Sequence, residues 1–192
     1  MIHDVLVFLK DQLSEFFDTH PSWQASDPGE GGVVLLDGET MNPITFRLGA
    51  VTALLINLEE ESTLRPADPY RRDSADGEIL AVQPEIRLHL YVLFVASFRK
   101  YEQCLQALSL IIHYFQNRRV LDDVHLATRV DRLGPLKTEL VTLPFSEQKE
   151  IWSTLRAPYH PSVLYKISWV AFRDEEGLSL PRVTEPIFEI TQ

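Results

Sequence analysis

Residues 84–98 read PEIRLHLYVLFVASF, and no other segment of this chain restricts its fold as tightly. Ile86, Leu88, Leu90, Val92, Phe94 and Ala96 fall on one face of an extended strand, because successive side chains of a strand point to opposite sides. The other face passes from Arg87 and His89 to Leu93 and Val95. One side is therefore in the core for its whole length, and the other becomes covered only towards its C-terminal end.

The flanking segments supply the rest of a core. Ile2, Val5, Leu6, Leu9, Leu13, Phe16 and Phe17 recur at helical spacing, and Thr19-His20-Pro21 ends that opening helix. Residues 18–32 read as loop, 33–36 as a short strand closed by Asp37-Gly38. Leu54, Ile56 and Leu58 alternate in a strand whose far end is Glu59, Glu60 and Glu61. Residues 62–83 are polar, hold Pro66, Pro69 and Asp76-Gly77, and read as a second loop. A long helix follows the central strand, with Tyr101, Leu105, Leu108, Ile112 and Phe115 as its expected buried stripe and Arg118-Arg119 complementing its dipole. Residues 136–143 read as a strand, and Ser146 is placed to cap a short helix from Glu147 that buries Ile151, Trp152 and Leu155. Residues 162–172 alternate again, with Val163, Tyr165, Ile167, Trp169 and Ala171 on one face. The order predicts an α+β domain over residues 1–182, with a mainly antiparallel sheet and helices packed on one face. The tail, with Ile187, Phe188 and Ile190 after Pro186, predicts an edge strand or extended arm over 183–192.

Charge and composition narrow the function. Eighteen basic against twenty-eight acidic residues leave a net charge of −10, which argues against nucleic acid as a partner, since that affinity comes from Lys and Arg neutralising phosphates. Arg71-Arg72 and Arg118-Arg119 are short and not interleaved with aromatics. The single cysteine allows neither an internal disulfide nor a Cys-based zinc site. The N-terminus has no basic n-region, and the longest apolar run, LYVLFVASF, is too short to span a bilayer as a helix. These features predict a soluble protein made in the cytoplasm, without membrane insertion.

Chemistry-bearing patterns are sparse. GEGG at 29–32 lacks the Lys-Ser/Thr of a P-loop, and neither a dinucleotide fingerprint nor a Gly-x-Ser-x-Gly elbow occurs. Asp122, Asp123 and His125 lack the spacing of a metal site. Glu59 and Glu61 share a side of their strand while Glu60 faces away, so the three read as a solvated strand end or a rim of intersubunit salt bridges to Arg65, Arg71 or Arg72 of a neighbour. Cys104 reads as a small core residue and His113 as a structural histidine. In IWSTLRAPYHPSVLYKI, residues 151–167, Pro161 favours an extended His160 that does not aim at Ser162, and Trp152 and Tyr159 are expected to pack a proline-stiffened corner. No catalytic group, metal or cofactor is expected. A small enzyme or ligand-binding domain using His160, Ser162 and Glu60 is the rival reading from another class.

The same stretch, with its Ile-Trp-Ser, a turn, Tyr-x-Pro-Ser and a short link to Tyr-Lys, resembles a family signature. LLINLEEESTLR (54–65), LHLYVLFVASFRKYEQCLQALSLIIHYFQ (88–116) and MIHDVLVFLKDQL at the start resemble the same family, in its order. The family is the tail cap, or tail terminator, of extracellular contractile injection systems, which are phage-tail-like particles. The resemblance implies a phage tail-terminator-like α+β fold, a hexameric ring at the baseplate-distal end of the tube, and no enzyme activity. It also implies inner-tube and sheath proteins as partners, with a second cap or adaptor protein in some systems, and a place in a particle assembled in the cytoplasm, whether released extracellularly or held at a membrane. A cap adaptor or an assembly factor of the same particle are alternatives within that reading.

Overall fold

The computed structural model describes residues 2–23, 31–36, 44–61, 71–73, 79–81, 86–121, 135–172 and 178–179. Its elements in chain order are α1 (Ile2–Thr19), β1 (Val33–Leu35), β2 (Ala50–Glu60), β3 (Arg71–Asp73), β4 (Ile79–Ala81), β5 (Ile86–Ser97), α2 (Tyr101–Asn117), β6 (Val120–Leu121), β7 (Leu136–Val141), α3 (Phe145–Leu155), β8 (Ser162–Phe172) and β9 (Leu178–Ser179).

Six strands form one sheet in the order β1-β2-β5-β8-β7-β6, with β5 near its centre between β2 and β8. Every pairing is antiparallel except β1 with β2. The remaining strands form a second sheet, β3-β4-β9, from the segments that continue β2, β5 and β8. Leu88 pairs with Trp169 and Leu80 with Ser179, so the β5–β8 ladder resumes as β4–β9 after a small slip in register. The segment 62–83, read as loop from its polarity, thus contains two short strands, each of three residues. Strands of three residues carry no alternation long enough to see in a sequence.

Leu88, Leu90, Val92, Phe94 and Ala96 of β5 share one face with Tyr165 and Ile167 of β8, and α1 and α2 cover it. Helix α1 buries Val5, Phe8, Leu9, Leu13 and Phe17 there. The Ser14 hydroxyl accepts a hydrogen bond from the Val33 amide at 2.9 Å, which fastens α1 to β1. Gly31 and Gly32, the end of the GEGG run, turn the chain into β1 with φ of 112° and 76°, values that disfavour a side chain. Each aliphatic or aromatic side chain removed from water here contributes roughly 1.5–3 kcal/mol.

The expectation that the helices lie on one face holds for α1 and α2. Helix α3 sits on the reverse, where Trp152 packs on Leu93, Val95 and Leu164. This follows from β5 itself, whose odd-numbered side chains turn apolar only at Leu93. Helix α3 starts at Phe145 after Pro144, with no side-chain cap, so Ser146 is already helical. Of its three expected core residues only Trp152 is fully buried, while Ile151 and Leu155 pack at the margin.

Two periodicity readings are corrected. In α2 the buried side is Cys104, Ala107, Leu108, Ile111, Tyr114 and Phe115, so Leu108 and Phe115 were placed rightly while Tyr101, Leu105 and Ile112 are exposed. The small Cys104 and Ala107 let the helix approach the sheet, while Tyr101, Leu105 and Ile112 face outwards. In β2 a bulge between Leu55 and Asn57 breaks the alternation. Leu54 pairs with Leu93 but Leu58 with Leu90, so the two leucines lie on opposite faces.

Candidate assembly surfaces

The bulge decides where the acidic end of β2 goes. Asn57 falls opposite Tyr91 and Glu59 opposite His89, on the face away from α1 and α2. The Tyr91 hydroxyl donates to Glu59 Oε2 at 2.8 Å, and Asn57 Nδ2 donates to Glu59 Oε1 at 3.2 Å. Glu61 Oε2 lies 2.6 Å from His89 Nε2, a pair mostly withdrawn from solvent. An ionised Glu61 accepts from Nε2–H, and the buried Nδ1 of His89 has no partner among the described residues. The Glu59 carboxylate raises Tyr91 above the usual phenol range, with burial adding to the effect. Glu59 and Glu61 thus share a side, as read from the sequence, and both are engaged within their own chain. Glu60 pairs in register with Leu88 and points to the helix-covered side, at an exposed edge.

Further along the same reverse face, Lys166 and Ser168 of β8 stand opposite Tyr91 and His89, and Glu139 and Lys137 of β7 stand opposite them in turn. The result is a polar cross-strand band running across four strands. Between this band and α3 lies a groove of about 470 Å³, floored by Ile56, Leu164 and Leu155 with Glu147 and Glu150 at its mouth. Phe145, at the start of α3, is 90% exposed.

His160 belongs to a packed corner. Its Nδ1 is 2.8 Å from the Pro158 carbonyl, and its ring stacks on Trp152 with centroids 5.9 Å apart and meets Phe46 at 5.1 Å. Tyr159 meets Trp152 edge-on at 5.6 Å. The Pro161 carbonyl accepts from the Ala96 amide at 2.9 Å, which ties the corner to β5, and Ser162 starts β8. The ring nitrogen nearest the backbone is engaged with a carbonyl rather than with Ser162. Cys104 is buried, and exposed His113 bonds Asn117 through Nε2 at 3.0 Å, so both occupy the structural positions expected of them.

Arg71 and Arg72 lie on β3, paired in register with Ala81 and Leu80. Arg65, Ile187, Phe188 and Ile190 lie outside the described residues, as do Asp122, Asp123 and His125. Among the described residues no three His, Cys, Asp or Glu side chains are placed to hold a metal, and no helix is long and apolar enough to cross a membrane.

The surface that sequence reasoning missed lies on the helix-covered side, beyond α2. Ile112, Phe115, Leu140 and Tyr165 line a groove of about 700 Å³ there, which also reaches Arg119 and, at the sheet edge, Val120 and Lys137, whose register places them on the reverse side. Its signal was present in the sequence: Tyr101, Leu105 and Ile112 repeat at helical spacing, and were assigned to the monomer core.

No curated protein matches the chain. Among solved structures, it is similar to the sheath/tube terminator of an extracellular contractile injection system, PVC, in its extended state. The TM-score is 0.57 at 15% identity, covering 100% of this chain and 64% of that one, so the likeness is one of fold and this chain spans under two thirds of the other's length. A second match is the tube-terminating cap of the anti-feeding prophage, with a TM-score of 0.45 at 16% identity over 70% of this chain and 47% of that one. The Pvc16 N-terminal domain family matches residues 4–185, nearly the whole chain, and the protein belongs to that family.

Proposed function

We propose that this protein is a structural cap of a contractile injection particle, seated at the baseplate-distal end, where it ends inner-tube polymerisation and anchors the last sheath ring. The observation that carries this reading is the family match over residues 4–185. The chain's uncovered surfaces support it: a charged cross-strand band, an exposed Phe145 and apolar grooves are docking features, whereas His160 is spent on packing. In this role the protein works as a ring of identical copies, six by the family resemblance, against tube and sheath proteins, and its action is passive recognition without a chemical step. The segment 183–192 acts as an extended arm that lends backbone hydrogen bonds to a neighbour.

The test is the length distribution of particles by electron microscopy, with this gene deleted and restored. Absent particles, or overlong and bare-ended tubes rescued by the gene, support a cap. Closed particles of normal length without the gene reject it and favour an adaptor or an assembly factor. Truncation at residue 182 is expected to weaken ring assembly or sheath attachment, and unchanged capping by the truncated chain removes the arm from the account.

A further inference from the structure

The outer edge of β7 is open beside an apolar groove. Strand β6 pairs with Leu136 and Lys137 only, so from Thr138 to Val141 no strand among the described residues lies on that side. The Thr138 amide points outwards and donates to the Arg119 carbonyl at 2.8 Å, so Leu140, two residues on, also directs its amide and carbonyl away from β8. The Leu140 side chain stands opposite Tyr165 on the helix-covered side and is 47% exposed, and Ile112 and Phe115 complete the groove floor around it. A strand edge beside an apolar floor can accept an added strand, whose backbone pairs with the edge while alternate side chains fill the floor. The charge at this corner is basic, with Arg118 and Arg119 just past the end of α2 and Lys137 on the reverse side of β7. Glu139 is the one acid in the lining, and it stands opposite Lys166 in the register of β8.

We infer that residues 187–190 of one copy add as a strand to this β7 edge of the next, with Phe188 and Ile190 filling the α2–β7 groove. The inference rests on the ring and the arm proposed above, and it names the site that receives the arm. Residues 183–192 read VTEPIFEITQ, with two acids and no base, so their charge is opposite to that of the corner. In an extended chain Phe188 and Ile190 fall on one side, and Ile187 and Glu189 on the other. Pro186 has no amide to donate, which suits a strand that begins after it. The reach of the chain favours a neighbour. Strand β9 follows the Phe172 end of β8, whereas the groove lies at Tyr165, about 23 Å back along the strand. Residues 180–187 span at most about 29 Å when fully extended, which leaves a copy's own groove at the limit of its arm. Arm and groove are different surfaces, so the contact is head-to-tail, and such contacts repeat until they close into a ring. The added strand also covers Leu140 and Ile112, two of the large apolar side chains that the single chain leaves exposed.

The experiment uses the full-length chain, whose single cysteine, Cys104, is buried and so leaves introduced thiols to report alone. Phe188→Cys and Leu140→Cys are prepared separately, mixed in equal amounts and treated with a short bismaleimide. A covalent dimer containing one copy of each variant is expected, well above the yield from Phe188→Cys mixed with Phe145→Cys, which puts the second thiol on exposed α3 instead. A chain carrying both Phe188→Cys and Leu140→Cys is expected to give a ladder of linked copies. In analytical ultracentrifugation across a concentration series, Phe188→Asp is expected to weaken self-association by about 10-fold. The inference is overturned if the mixture gives no more mixed dimer than the control pair, or if the doubly substituted chain links only within itself, which places the arm in its own groove. It is equally overturned if Phe188→Asp associates as tightly as wild type, or if the wild-type chain stays monomeric throughout. Any of these results, together with particles that need the gene to reach normal length, rejects this site for the arm and leaves the cap reading standing.

Discussion

Strand β5 presents Leu88, Leu90, Val92, Phe94 and Ala96 to α1 and α2 on one side, and Arg87, His89 and Tyr91 followed by Leu93 and Val95 on the other. The first side is a continuous core joined to both long helices. The second is apolar only where Trp152 covers it, and elsewhere Tyr91 and His89 bond to Glu59 and Glu61 at the end of β2. The difference teaches that stability is concentrated on the helix-covered face. The reverse face is free to vary in charge because little of the fold depends on it.

The largest effect that sharpens this contrast is expected at Phe94, which is fully buried against Phe115 and Tyr165. Phe94→Ala should cost about 3–5 kcal/mol in urea unfolding, by lost burial plus a cavity. Trp152→Ala should cost about 2 kcal/mol, with α3 losing hydrogen-exchange protection while β5 keeps it. An equal cost at both sites, with protection lost together, breaks the contrast. Next, Glu61→Gln should cost about 1 kcal/mol near neutral pH, because His89 then loses a charged hydrogen-bond acceptor. The measurement is again urea unfolding, with an unchanged midpoint counting against the pair.

A pH titration probes the helix-covered side separately. Burial raises Tyr165 above its ordinary value of 10.0, so the folded state holds that proton more tightly than the unfolded chain. Its contribution is therefore complete below pH 10 and is lost as pH rises through the folded value. Thermal melts should show an alkaline decline that Tyr165→Phe reduces. The smallest effect concerns Arg156, which ends α3 with φ of 52° in the left-handed region. Arg156→Gly should stabilise by about 0.5–1 kcal/mol, read as a small rise in Tm.

Much of this architecture was legible, for reasons particular residues make plain. The central strand was read correctly because ten or so alternating positions leave little freedom of phase. The corner at His160 was legible because Pro161 restricts its neighbour and the aromatic residues had to pack somewhere. The stripe of α2 was not, since the helix is apolar over more than one side and spacing alone cannot say which side meets its own sheet. Of the expected interaction residues, Glu59 and Glu60 close β2 and Glu61 follows it, but Tyr91 and His89 as partners of Glu59 and Glu61 depend on a cross-strand register that no local pattern encodes.

The bulge at Ile56 has a consequence for how the chain tolerates change. An aliphatic exchange at this position keeps the phase of β2, whatever it does to packing. Loss of the residue would close the bulge, leaving Asn57 next to Leu55 and still opposite Tyr91, so Glu59 and Glu61 would keep the reverse side and Leu58 the helix-covered one. At this point of the protein the strand can absorb the loss of one residue, a loss that within a regular stretch of the ladder would turn every side chain beyond it to the other face.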